Sequence, residues 1–363
     1  MGKRELLIVA AFVIIGAVAY HVTAPSTRPG ERGFSLSALR DAFRNHGRGP
    51  RGRGQVTTTG AVAPGATISE VSISGVSTVL VTATSRKDVA WTFQVESSGP
   101  DDASAERAAQ AVTFLHDEMG NVLALTARGS RTSGQGTTLR LEVPSRLDVR
   151  LDGARRVTAS GLAALRLDNV SGDVEAHDIA GAVSGTHRNG TINVAHVGSV
   201  SLTLASGGST ITDVRGDTTI NMRNGGGHLS NLHGTLALDS GTAVVEVSNI
   251  EGPARMTVAA GALKLVDPKA EVRIDARAAK VEALLDRPVP LTAIVTGGMR
   301  LELAGDVPVT LDAIADGGTI VAGDFGLTPE VGPRGARLHH VFGARAAVAL
   351  RSDGGEIVIA RRK

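Results

Sequence analysis

Apolar residues recur about every eighteen residues between Val157 and Val258. An apolar anchor residue closes each unit, and successive anchors are separated by 17, 18, 17, 18 and 18 residues. The six anchors are Leu162, Ile179, Val197, Val214, Leu232 and Ile250. A fixed period of this length is typical of solenoids, in which each repeat buries its apolar face only against its neighbours.

Each unit contains two short stretches in which apolar and polar residues alternate. The first is apolar five and three residues before the anchor, as in Ile192 and Val194, and the second follows the anchor, as in Val200 and Leu202. Alternation with a period of two predicts strands with one buried face. In two units Ser209 or Gly227 replaces the apolar residue five positions before the anchor. The apolar residue three positions before the anchor is kept, as Ile211 or Leu229. The sequence therefore predicts an all-β fold, a β-solenoid or parallel β-helix-like stack of short strands.

Composition agrees with this architecture. The chain has 45 glycines and only 2% aromatic residues. Glycine supplies the positive-φ corners of tight turns, and small aliphatic side chains fill a narrow interior. We attribute both features to geometry rather than to chemistry.

The regions that flank the clearest repeats, 157–258, also resemble strands. Alternating segments occur from Ala66 to Val95, one short helix is predicted near residues 102–115 behind an acidic pair, and strands resume at Val122. Beyond Ala262 the strict period decays. Segments 315–321 and 352–358 both place Asp-Gly-Gly before an alternating strand, and 329–337 is predicted to be a loop between them.

The N-terminus predicts a membrane segment. Lys3 and Arg4 precede the uncharged apolar stretch 6–22, whose seventeen residues are near the lower limit for a spanning helix. Basic residues on this side favour a cytoplasmic N-terminus. We expect residues 1–22 to form a retained signal anchor, a transmembrane helix in the inner membrane, with the body in the periplasm or outside the cell. Cleavage near Ala19, which would give a secreted protein, is the alternative.

Residues 23–55 are predicted to be a basic flexible linker, and residues 56–363 to be the solenoid domain. The linker carries seven arginines against one glutamate and one aspartate, a net charge of +5. Such a linker beside a membrane could contact anionic headgroups or envelope polymers. The whole chain carries a net charge of only +2, so no specific nucleic-acid partner is expected. The absence of cysteine excludes disulfides, thiolate metal sites and a cysteine nucleophile.

Aspartates and histidines in the repeats are the candidates for catalytic or metal-binding residues. The aspartates are Asp173, Asp178, Asp213, Asp217 and Asp239, and the histidines are His177, His187, His196, His228 and His233. The aspartates lie near turns, where Asp is favoured for backbone reasons. The histidines fall at different positions relative to the anchors, and His339 and His340 are placed in a loop. We therefore predict no catalytic, cofactor-binding or metal site, and no cofactor.

Several segments resemble bacterial putative-adhesin domains of unknown function. The matching segments are Leu141-Glu-Val-Pro144, Ser171-Gly-Asp-Val174, Asn189-Gly-Thr-Ile192 and Gly354-Gly-Glu-Ile-Val358. The resemblance covers most of Ala66 to Ile359 and implies an envelope-associated, often membrane-tethered β-solenoid. It supplies no catalytic residues.

These observations predict a non-enzymatic envelope protein whose strand faces act as an adhesin-like binding or scaffolding surface. Its partners would be the membrane, through residues 6–22, and envelope polymers or other envelope proteins. Two alternatives remain open. One is a polysaccharide-active β-helix enzyme, which requires carboxylates that converge in a groove. The other is a structural protein that self-assembles into homo-oligomers through its exposed end strands.

Overall fold

The structure is a computed structural model that describes residues 52–129, 134–305, 307–343 and 345–362. This part of the chain is all-β, with 27 strands, one α-helix and one 3-10 turn, Gly323–Phe325. The predicted signal anchor, 1–22, lies outside the described residues. Among those that are described, no helix is both long enough and apolar enough to cross a bilayer. Strand β1 begins at Gly52, so the last four residues of the predicted linker 23–55 belong to a strand.

Seven strands and the helix form the N-terminal part. They are β1 (Gly52–Val62), β2 (Glu70–Ser74), β3 (Thr78–Thr84), β4 (Val89–Gly99), α1 (Asp102–Gln110), β5 (Thr113–Met119), β6 (Val122–Arg128) and β7 (Gly136–Pro144). The central strands are β8 (Asp148–Asp152), β9 (Arg156–Ser160), β10 (Leu165–Val170), β11 (Asp173–His177), β12 (Ala182–His187), β13 (Thr191–Val197), β14 (Ser199–Leu204), β15 (Gly208–Val214), β16 (Thr218–Leu232), β17 (Leu236–Ile250), β18 (Ala254–Val266) and β19 (Val272–Leu285).

Eight strands close the chain. They are β20 (Leu291–Val295), β21 (Met299–Leu303), β22 (Val309–Asp316), β23 (Ile320–Val321), β24 (Glu330–Gly332), β25 (Gly335–Val341), β26 (Ala346–Asp353) and β27 (Ile357–Arg361).

Equivalent strands of successive repeats pair in parallel and form two ladders. The first ladder runs through β9, β11, β13 and β15 into the second halves of β16 to β19, and the second ladder runs through β8, β10, β12 and β14 into their first halves. The predicted register is confirmed. Val174 pairs with both Val157 and Ile192, and the anchor Val214 pairs with Val197 and Leu232.

The inward side chains of both ladders belong to one hydrophobic core. The two weak positions of the sequence pattern occupy the same column of this core, because Ser209 pairs with Gly227. A Cβ on Gly227 would lie only 3.0 Å from the Cε atom of Met222, so the long methionine fills the space that glycine leaves. The volume of the column is thereby kept although its apolar pattern is interrupted.

The predicted helix near residues 102–115 is shorter in the structure. Helix α1 starts behind Asp101, whose carboxylate accepts a hydrogen bond from the Ser104 amide at 2.7 Å, and it ends at Gln110. Residues 113–119 instead form strand β5, antiparallel to β6. Phe114 stacks on Phe93 with ring centroids 4.6 Å apart, and this aromatic contact favours the strand over a longer helix.

Two further differences concern the C-terminal part. The segment 329–337, predicted to be a loop, contains β24 and the start of β25, which pair as an antiparallel hairpin. His339 and His340 therefore lie on a strand rather than in a loop.

The two Asp-Gly-Gly segments lie side by side, since Asp316 pairs with Asp353 and Ile320 pairs with Ile357.

Candidate binding surface

Short polar side chains cover the outward face of three adjacent strands in the second ladder. They form two columns, Ser184, Ser201 and Thr219 in one, and Thr186, Thr203 and Asn221 in the other. We call these six residues the hydroxyl plateau. They alternate with inward residues such as Val200 and Leu202, and adjacent strands place equivalent side chains about 4.8 Å apart.

The plateau presents free hydrogen-bonding groups to solvent. Five of its residues are exposed and Ser184 is half-buried. The Thr186 hydroxyl accepts a hydrogen bond from the Asn169 amide at 2.9 Å. The side chains of the other five form no hydrogen bond within the part of the chain that the structure describes, so their donors and acceptors are open to a ligand.

Arginines lie beyond the plateau on both sides along the same column, next to Ser184 on one side and past Ala237 on the other. On one side, Arg150 and Arg166 contact Asp168 with N···O distances of 2.6 and 3.2 Å. Partial burial acts to raise the pKa of the Asp168 carboxyl, but hydrogen bonds from these arginines outweigh it and lower that pKa. On the other side, Arg255 and Arg273 have no ion-pair partner among the described residues. Arg166 and Arg255 are five strand steps apart, about 24 Å.

A second ordered row of side chains lies at the corner just before the anchors. Five successive residues at this corner have positive φ between 52° and 58°: Asp178, His196, Asp213, Asn231 and Asn249. Asn and Asp tolerate this conformation better than other residues with a side chain. The Asn249 amide donates to the Asn231 Oδ1 atom at 2.6 Å, and the Asn231 amide donates to the Asp213 Oδ1 atom at 2.9 Å.

His196 continues this corner row between two carboxylates. Its Nδ1 atom is 3.6 Å from an Asp178 oxygen, and its Nε2 atom is 3.5 Å from an Asp213 oxygen. A comparison of the histidines with one another does not reveal this grouping, because the partners of His196 are aspartates. The signal was present, since the residue before the anchor is Asp, His or Asn in five consecutive units.

The candidate aspartates do not converge on one site. Asp178 and Asp213 lie on the corner row, Asp239 follows Asn221 along the second ladder, and Asp173 and Asp217 lie at strand starts. Hydrogen bonds lower the pKa of three of these carboxyls below the ordinary value: from the Thr191 hydroxyl to Asp173, from His177 to Asp178 and from Thr235 to Asp217. A lowered pKa keeps these groups ionised near neutral pH, which is unsuited to a general acid.

The remaining histidines are also separate from one another. His187 is buried, 1% exposed, with its Nε2 atom 2.7 Å from the Gly172 carbonyl oxygen. His228, His233 and His339 contact the carboxylates of Glu246, Glu251 and Asp312, respectively. In the described ranges, no three His, Asp or Glu side chains are grouped so that they could hold a metal ion.

No family model and no curated protein matches the chain. Solved structures do. The chain is similar to a putative adhesin from Parabacteroides merdae, with 12% identity, a TM-score of 0.34 and coverage of 84% of this chain and 96% of that one. It is also similar to a putative adhesin from Parabacteroides distasonis, with 10% identity, a TM-score of 0.29 and coverage of 85% and 98%.

A third similar structure is a putative cell adhesion protein from Clostridium sporogenes. The identity is 9%, the TM-score is 0.21, and the alignment covers 85% of this chain and 100% of that one. Two of these structures are named putative adhesins, as is the family that the sequence resembles.

Proposed function

We propose that the two parallel ladders wind as a β-solenoid and that the chain is a non-enzymatic, adhesin-like envelope protein. In this proposal residues 1–22 anchor it in the inner membrane, and the body binds an extended polymer outside the cytoplasm. The hydroxyl plateau is the binding surface.

The regular plateau, in which five of six side chains form no hydrogen bond among the described residues, is the observation that carries this proposal. Its hydroxyls and its one amide can both donate and accept hydrogen bonds, as a neutral or weakly charged polysaccharide requires. Since the strands fix their spacing, a repeating ligand could meet several of them without ordering a flexible loop, which reduces the entropic cost of binding. Arg255 and Arg273, which have no ion-pair partner among the described residues, extend the contact to acidic substituents.

The acidic residues support binding rather than hydrolysis. Glycoside hydrolysis uses two carboxyl groups across one bond, about 5 to 9.5 Å apart, with one kept protonated by a raised pKa. Asp178 and Asp213 flank His196, but the other three candidate aspartates lie elsewhere, and the pKa shifts of Asp173, Asp178 and Asp217 are all downward. We therefore favour the adhesin-like role over the enzyme.

A triple variant tests the plateau. Ser201→Val, Thr203→Val and Thr219→Val together keep the strand-forming shape and remove three hydroxyls. If each contributes about 0.5 to 1.5 kcal/mol, affinity for the bound polymer should fall at least tenfold. The measurement is binding to an array of neutral and acidic envelope polysaccharides, followed by titration of the polymer that binds.

The matched control replaces three threonines on the first ladder with valine: Thr158, Thr210 and Thr212. It should bind as the unaltered chain does. Equal loss in both triple variants, or unchanged binding in the plateau variant, would show that another surface is responsible.

A further inference from the structure

A groove of about 470 Å³ lies on the outer face of the N-terminal strands that extend the first ladder, in which β3 pairs with β9. Strands β3, β7 and β4 form its floor, and the loop after Thr84 forms one wall. This volume is within the range of small-ligand sites, about 300 to 1,000 Å³. The groove is separate from the hydroxyl plateau, which lies on the second ladder.

Arg86, in the wall of the groove, forms two ion pairs. The Arg86 guanidinium contacts Asp88 at 2.9 Å and Glu142 at 3.4 Å, and the Arg86 amide donates to the Thr84 hydroxyl at 3.4 Å. These contacts occupy both carboxylates beside the groove. The Glu142 carboxylate, which lines the groove, is therefore paired before any ligand arrives.

Arg140 remains free on the floor. It lies between Leu80 on one neighbouring strand and Thr92 on the other, and it is exposed. Its guanidinium has no hydrogen bond or ion pair within the ranges that the structure describes. Glu142, two residues along the same strand, contacts Arg86. A planar guanidinium of this kind is suited to a bidentate contact with a carboxylate.

The other lining groups are those that a sugar ring uses. Thr92 brings a hydroxyl directly beside Arg140. Thr82 lies opposite Glu142 on the same floor, and its hydroxyl accepts a hydrogen bond from Ser160 at 3.5 Å. The half-buried Leu80 offers an apolar patch for the carbon face of a ring. We infer that this groove binds a carboxylate-bearing sugar, with its carboxylate on Arg140 and its hydroxyls on the threonines.

Titration of the full-length protein in detergent with sodium D-glucuronate, followed by ligand-observed NMR, tests this inference. D-Glucose lacks the carboxylate and sodium acetate lacks the sugar ring. Each should therefore bind at least tenfold more weakly than glucuronate. Arg140→Gln should weaken glucuronate binding about tenfold to a hundredfold, and Thr92→Val by a few fold.

The control Arg156→Gln alters an exposed arginine on β9, outside the groove, and should bind glucuronate normally. The plateau triple variant should also bind it normally, so this inference and the proposed function can fail separately. Unchanged binding by Arg140→Gln, or glucose and acetate binding as tightly as glucuronate, would overturn the inference.

Discussion

Single residues at the corners decide whether successive strands can approach. Gly207 and Gly225 have φ angles of 112° and 115° and follow one another in the same turn of adjacent repeats. A Cβ on Gly207 would lie 1.9 Å from the Gly190 carbonyl oxygen, and one on Gly225 would lie 2.0 Å from that of Gly207. Here glycine meets two requirements, a left-handed corner and a close backbone contact.

Side-chain ladders on the surface add electrostatic contacts between repeats. Glu251 lies between His233 and Lys269, with N···O distances of 2.6 and 2.9 Å. Hydrogen bonds from Lys269, and then from His233, lower the pKa of the Glu251 carboxyl from 4.5 to about 2. A carboxyl with a lower pKa in the folded state stabilises that state above its unfolded pKa.

We predict that the contribution of Glu251 to stability is lost as the pH falls from about 4.5 to about 2. The melting temperature of Glu251→Gln should therefore lie below that of the unaltered chain at pH 6, and the two should converge near pH 2. Thermal melts across this range are the measurement. Glu175→Gln, at an exposed position outside these ion pairs, is the control, and an equal gap for Glu251→Gln at pH 6 and pH 2 would contradict the prediction.

At the scale of elements, alternation alone placed most strands correctly. Each inward position that the repeats assigned, including Val157, Val174 and Ile192, is buried in the structure. The sequence predicts a longer helix α1 than the structure shows, because Val112 to Leu115 continue an apolar pattern that fits a helix or a strand. The contact of Phe114 with Phe93 is formed between residues distant in sequence, and no local pattern contains it.

Ile192 tests the inward assignment. It is 0% exposed and packs between Val174 and Ser209 in the first ladder. We expect Ile192→Asp to unfold or aggregate the body, since an unpaired charge would enter the core.

Asn193→Asp introduces the same side chain at the adjacent, outward position and should melt close to the unaltered chain. Circular dichroism melts of both variants are the measurement. A near-normal melting curve for Ile192→Asp would refute the inward assignment of this column.

At the scale of the whole molecule, the order of strands at both ends departs from chain order. At the N-terminal end, β2 lies between β6 and β8, so strands 122–144 lie outside those of 70–84. At the other end, β26 lies between β20 and β22. A strand near the end of the chain thus lies between two earlier strands. This order makes the two Asp-Gly-Gly segments neighbours.

The membrane anchor that we propose for residues 1–22 is tested on the full chain. We predict that the protein sediments with membranes after an alkaline carbonate wash, and that its intact mass retains residues 1–22. Deletion of those residues should leave it in the cytoplasmic fraction, because the apolar segment drives insertion. A soluble exported form that lacks about nineteen N-terminal residues would establish the secreted alternative instead.

The sequence by itself determined the period, the inward columns and the need for glycine at the corners, because these depend on contacts between equivalent positions about eighteen residues apart. Tertiary structure decided the order of the end strands, the hairpin of β24 and β25 and the groove at Arg140. Each of these depends on which distant segments lie side by side. The alternation of a strand fixes which face is buried but not which strand is its neighbour.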